Sequence, residues 1–190
     1  VGCLEFWMDW NTLYADRMAL ISDTSIIGLL KLAERPDVIS FAGGLPDPKS
    51  FPLPRIKEAA DWVLDNEGPA SLQYGPTAGY TNLREWIAAR METIDKVSMT
   101  ADHLMITSGG LEAIDLVAKA FINPGDTVIV EAPSYLAALH TFRSYQAELV
   151  DVPIDSNGLD VDRLDVCLND LSRQGIKPKF IYTIATFQNP

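Results

Sequence analysis

The sequence is poor in the residue types that build disulfide frameworks and metal centres. It has two cysteines, Cys3 and Cys167, far apart and outside any CxxC pair. Its two histidines, His103 and His140, have no second ligand at metal spacing. A disulfide-stapled secreted scaffold is therefore not expected, a reducing compartment is, and no metal site is read. Basic residues are scarce as well: 15 lysines and arginines stand against 26 acids, for a formal net charge of −11. Such a balance argues against nucleic acid or an anionic membrane surface as partner. It leaves room for a small anionic ligand held by a local cradle. No apolar run reaches the ~18 residues needed to cross a bilayer. The opening residues Val1-Gly2-Cys3-Leu4-Glu5-Phe6-Trp7 lack the basic and apolar regions of a secretion signal. Residue 1 is not Met and residue 8 is, so residues 1–7 read as upstream sequence or an added remnant. No repeat or low-complexity segment is visible.

What is present is an ordinary globular composition, 47% hydrophobic and 22% charged over 190 residues. That length suits one domain, or one and a piece. Residues 12–34 carry a first helical pattern, with Ser25 as N-cap of the segment 26–33 and Pro36 closing it. After the extended run Val38–Ala42 comes a loop rich in glycine and proline, residues 43–52. Pro54 suits the first turn of a helix whose face is Ile56, Ala59, Ala60 and Val63, ended by Gly68-Pro69. A second ordered loop holds Tyr74 and Gly79. A helix with Leu83, Trp86, Ile87 and Met91 on one side follows.

From Leu104 the pattern alternates between strand and helix. Leu104-Met105-Ile106-Thr107 reads as a short buried strand, Ser108-Gly109-Gly110 as a turn, and Leu111 onward as a helix. Such a turn exposes unpaired backbone N–H groups at the positive end of a helix dipole, a cradle for phosphate. Paired glycines also occur in α/β turns that bind nothing, so this motif alone does not carry a function. Asn123-Pro124-Gly125-Asp126 is a turn. Strands are expected at 127–130, 147–151 and 180–184, with helices from Pro133-Ser134 through Tyr145 and from an Asp160 cap through Leu171. Strands separated by helices imply a mostly parallel sheet covered on both faces. Ligands of such sheets bind outside the carboxyl ends of the strands. Those ends carry Ser108-Gly109-Gly110, Ala132-Pro133-Ser134-Tyr135 and Phe187-Gln188-Asn189-Pro190. The last lies directly after a buried strand, so the chain is expected to be the front portion of a longer protein.

Five features, in order and at family spacing, resemble the fold-type-I pyridoxal-phosphate aminotransferases, in particular the aminoadipate, kynurenine and multi-substrate subgroup. They are Ser40-Phe41-Ala42-Gly43-Gly44-Leu45-Pro46 with Phe51-Pro52; Leu72-Gln73-Tyr74 with Gly79; Ile106 through Ala113; Glu131-Ala132-Pro133-Ser134-Tyr135; and Phe187-Gln188-Asn189-Pro190. The resemblance implies a three-layer αβα fold with a mostly parallel sheet, incomplete at the C-terminus. Residues 1–45 would be an N-terminal arm and the start of a small domain, and 46–190 the front portion of the cofactor-binding large domain. It implies pyridoxal 5′-phosphate as cofactor. Gly109, Gly110 and Leu111 would bind it, the backbone N–H groups of Gly110 and Leu111 holding its phosphate, although many relatives have Ser-Gln where this chain has Gly110-Leu111. Tyr135 would stack on the ring, Asn189 would donate to the phenolic oxygen, and Tyr74 would reach the phosphate of a neighbouring subunit in a homodimer. Gly44 would border the substrate.

The implied reaction passes an amino group from an amino acid to a 2-oxo acid, ping-pong through pyridoxamine phosphate, in the cytoplasm. In aminoadipate-type relatives an arginine follows the isoleucine of the first helix; here Ile27 follows Ile26, which favours aromatic or aliphatic over acidic substrates. The lysine that anchors the cofactor falls, in the family, beyond Pro190, so no catalytic residue is assigned and the chain alone is expected to be inactive. Two other readings belong to the same scaffold: the ligand-sensing half of a transcription regulator, and a lyase. The acidity of the chain and its start close to the family-like region weigh against the regulator.

Overall fold

The computed structural model describes residues 9, 12–20, 35, 37–39 and 46–190. They divide between two compact units, one made of 1–23 with 109–190 and the other of 24–108. The first-helix segment 26–33 and the Gly44 loop lie outside the described residues. Within 12–34, residues Asp16–Leu20 form a 3-10 turn.

The unit of residues 24–108 holds two helices, α1 (Leu53–Ser71) and α2 (Thr81–Ile94). Pro54 sits in the first turn of α1, where its missing N–H costs nothing. Gly68-Pro69 does not end that helix, which continues to Ser71. A proline this near the end forfeits one backbone bond, and the Gly68 carbonyl still accepts from Leu72 N at 3.2 Å and Ser71 Oγ at 3.0 Å. Residues 104–107 are not a strand of the sheet. Four apolar or β-branched residues become a strand only where another backbone pairs with them, and sequence pattern does not encode the partner. The stretch is tied instead by Ile106 N to the Ala78 carbonyl at 2.9 Å. Gly79 beside it has φ +94°, and a Cβ there would come within 2.6 Å of Ile106 Cβ, so only glycine fits. Arg84 is buried and, among the described residues, has no carboxylate partner. Its Nε donates to the Gly79 carbonyl at 3.2 Å and its Nη1 to the Ala101 carbonyl at 2.8 Å, so the second loop is pinned to the segment leading toward Ser108.

The other unit is the layered one. In chain order it holds α3 (Gly110–Phe121), β1 (Thr127–Ala132), α4 (Leu136–Ser144), β2 (Glu148–Asp155), β3 (Gly158–Leu159), α5 (Val161–Arg173) and β4 (Ile181–Tyr182). The strand order is β3-β2-β1-β4. β1 runs parallel to β2, with Thr127 beside Glu148 and Ala132 beside Pro153, and parallel to β4, with Val130 beside Tyr182. β3 is a two-residue antiparallel return that the sequence pattern did not announce.

The central strand explains the layers. Successive side chains of a strand face opposite sides. Val128 and Val130 pack with Ala118 and Ile122 around α3 and with Ala138 and Phe142 of α4. Ile129 packs on the other face with Val152 and Leu171, beside Leu164 and Cys167 of α5. Strand β1 is therefore buried on both sides, which is why it reads as a continuous apolar run. Phe142 meets Phe180 and Tyr182 edge-to-face, with centroids 5.6 and 5.4 Å apart. Tyr145 Oη donates to Asp115 Oδ1 at 3.1 Å and so joins α4 to α3. Burial, then the Asp115 carboxylate, pushes that phenol up. Asp160 caps α5 as its sequence position suggests, accepting from Arg163 N at 2.9 Å.

Candidate functional site

The order of the strands locates the site. From β1 the chain steps through α4 to β2 on one side. From β3 it returns through α5 past β1 to β4 on the other. The direction of travel reverses at β1, and the two helices accordingly cover opposite faces. Such a reversal opens a crevice at the carboxyl ends of the strands flanking it. Here those ends are Ala132 of β1 and Tyr182 of β4, on parallel neighbours, with Tyr182 beside Val130.

Two of the three sequence clusters leave from that edge. Residues 133–135 follow β1 and residues 183–190 follow β4. The Ala132–Pro133 and Asn189–Pro190 bonds are cis. Tyr135 is half-buried, with its ring packed against the core that holds Phe142. Asn189 is exposed. The third cluster is the start of α3. Its last turn precedes β1 by five residues, and the helix packs back over the strand through Ile114, Ala118 and Ile122. At 1.5 Å rise per residue, its twelve residues carry Gly110 toward the strand's far end. Tyr74 belongs to the other unit and is fully exposed. Gly44 lies outside the described residues.

A side chain that sequence reading overlooked ties the edge together. Glu131, the penultimate residue of β1, is 2% exposed. Its Oε1 accepts from Thr183 Oγ1 at 2.5 Å; its Oε2 accepts from Ile184 N at 3.0 Å and Gln188 Nε2 at 2.5 Å. Burial by itself raises the carboxyl, and the three hydrogen bonds outweigh burial and hold it below the ordinary range. A signal did exist: one acid inside an apolar run that is buried on both faces must find donors.

The residues present fit a phosphorylated planar cofactor on three observations. Gly109 and Gly110 open α3 without side chains, and among the described residues a Cβ at either would meet nothing within 4 Å, so the backbone at the helix start allows close approach. Among the described residues, Ser134 Oγ is a buried polar atom with no hydrogen-bond partner, at the same edge as Tyr135. Tyr135 offers an aromatic surface to a flat ring. A cavity of about 620 Å³, lined by Thr127, Glu148, Cys167 and Asp170, opens where β1 and β2 begin. Among the described residues no group of histidine, cysteine and acidic side chains could hold a metal, and no helix is long and apolar enough to cross a membrane.

Residues 36–190 match the family model of aminotransferase class I and II. The chain belongs to that family. It is 43% identical over 183 residues to aromatic-amino-acid aminotransferase 1 of Thermococcus litoralis, covering 96% of this chain and 44% of that protein. It is 39% identical to 2-aminoadipate transaminase of Thermus thermophilus, covering 96% of this chain and 43% of that one. Among solved structures, kynurenine aminotransferase of Pyrococcus horikoshii, in complex with PMP, superposes with a TM-score of 0.90 at 40% identity, over 96% of this chain and 45% of that chain. The chain thus spans under half the length of the relatives it matches.

Proposed function

We propose that the whole protein is a pyridoxal 5′-phosphate-dependent aminotransferase that moves an amino group from an amino acid to a 2-oxo acid. In this reading residues 1–45 are an arm and the start of a small domain, and 46–190 are the front portion of the large domain. The observation that carries it is the edge where β1 and β4 end in parallel and release Tyr135 and Asn189, with a glycine-opened helix packed back over β1.

When bound, the cofactor's ring supplies an electron sink. The chain's own residues bind and orient it. Gly109 lies at the turn, and the N–H groups of Gly110 and Leu111 hold the phosphate, where the helix dipole adds partial positive charge. With no side-chain donor at 110 or 111, backbone groups bear most of that grip. Tyr135 stacks on the ring. Asn189 donates to its phenolic oxygen and favours the charged form of that oxygen. Tyr74 reaches the phosphate of a second copy in a cytoplasmic homodimer, and Gly44 borders the substrate. None of Lys31, Lys49, Lys57, Lys96, Lys119, Lys177 and Lys179 matches the family's cofactor-anchoring motif.

Aromatic or aliphatic donors are favoured over acidic ones. Ile27 stands where aminoadipate-type relatives place an arginine, and a charge-assisted hydrogen bond to an acidic substrate is worth about 1.5–3 kcal/mol. The regulator reading has less support, since the relatives near 40% identity carry aminotransferase names. The test is to titrate the whole protein with pyridoxal phosphate, following near-ultraviolet absorbance, and to assay amino transfer from phenylalanine and from 2-aminoadipate. Binding with faster transfer from phenylalanine is expected. Absence of both binding and transfer would overturn the assignment.

A further inference from the structure

Glu131 is a buried ionisable group that the proposed reaction leaves unused. We infer that Glu131 is a positioning residue for Asn189, acting through the side-chain amide of Gln188. This rests on the reading of Asn189 as a donor to the cofactor's phenolic oxygen.

The argument starts from how the Gln188 amide is used. Its Nε2 donates to Glu131 Oε2 at 2.5 Å, and its Oε1 accepts from the backbone N of Asn189 at 2.8 Å. Both ends of one planar group are engaged, so the orientation of the amide fixes the backbone at Asn189. That orientation is in turn set by a carboxylate on β1, the most buried strand of the sheet. The same carboxylate takes Ile184 N and Thr183 Oγ1, which anchors the root of the segment as it leaves β4. Residues 183–189 are otherwise a loop, and Phe187 within it is 94% exposed with φ +58°. Little hydrophobic packing is available to hold such a segment. An ionised acceptor with three donors is the strongest restraint on it, since charge-assisted bonds are about twice as strong as neutral ones. A purely structural carboxylate would need to satisfy only the root of the loop. This one also reaches Gln188, the residue adjoining Asn189.

The test separates positioning from mere stabilisation by using an optical signal of the bound cofactor. A hydrogen bond to the phenolic oxygen favours its deprotonated form, so losing that bond raises the pH at which the bound cofactor's absorbance titrates. In the whole protein, Asn189→Ala is expected to raise that midpoint by about one pH unit. Glu131→Gln should raise it in the same direction. The Glu131→Gln, Asn189→Ala double variant should go no further than Asn189→Ala alone. The exchange Glu131→Gln with Gln188→Glu restores an amide-to-carboxylate pair with Asn189 N still facing an acceptor, and should return the midpoint toward the parent value.

Thermal melting is recorded for every variant. A Glu131→Gln protein that melts earlier but binds cofactor with an unmoved midpoint would overturn the positioning role and leave the aminotransferase reading standing. Additive shifts in the double variant would do the same. A parent protein that binds no cofactor would overturn both. Should Glu131→Gln fail to fold, the exchange variant against Gln188→Ala supplies the same comparison: a midpoint equal in the two overturns the inference.

Discussion

At the scale of single residues, Glu131 joins stability to pH. Its carboxyl is held below the ordinary value of 4.5 by Thr183, Ile184 and Gln188 acting against burial. A carboxyl lowered by folding contributes stability that is fully present above its unfolded value and is lost as pH falls through the folded one. Acidification below about pH 4.5 should therefore release the 183–188 segment, and thermal midpoints of the parent should fall more steeply there than those of Glu131→Gln. At neutral pH that substitution should cost about 1.5–3 kcal/mol, read from denaturant midpoints, because donors are left facing a weaker acceptor. Gly79 is the second position where one atom decides. An added Cβ would sit 2.6 Å from Ile106 Cβ on a backbone at φ +94°. Gly79→Ala should destabilise by about 1–3 kcal/mol.

At the scale of elements, helix starts make two separable predictions. Asp160 satisfies Arg163 N at the head of α5, so Asp160→Ala should cost about 1 kcal/mol in a urea melt and leave alone the edge where β1 and β4 end. The head of α3 is the opposite case. Among the described residues a Cβ at Gly110 meets nothing within 4 Å. Gly110→Ala should leave the melting temperature unchanged or raise it slightly, since alanine is the better helix former. Affinity for pyridoxal phosphate should be little changed, because relatives with serine at this position already carry a Cβ there and alanine leaves the backbone N–H groups in place. Sequence periodicity found these helices well, because an amphipathic helix writes its partner face into its own spacing. It did less well with strands. Residues 104–107 look as apolar as the start of β1 yet lie outside the sheet, and the β3 return was not seen. Pairing is a property of two segments, and one segment's composition does not carry it.

At the scale of the whole molecule, the chain spans under half of its relatives and none of its lysines matches the cofactor-anchoring motif. The purified 190-residue chain is expected to show no amino transfer with phenylalanine and 2-oxoglutarate, while the whole protein does. Turnover by the short chain at a rate comparable to the whole protein would refute the proposed division of labour.

The sequence alone determined the layered α/β class and the family, because the features that carry them are written locally: alternating periods, glycine at a helix start, an aromatic after Pro133-Ser134, an asparagine before a proline. Only the tertiary structure decided which strands adjoin, and hence that β1 is the reversal point, with the end of β4 at Tyr182 lying beside Val130. It alone gave Glu131 its three donors from residues more than fifty positions away. The physical reason is that a buried charge is satisfied through space by whatever the fold brings to it, and sequence neighbours say nothing of what that will be.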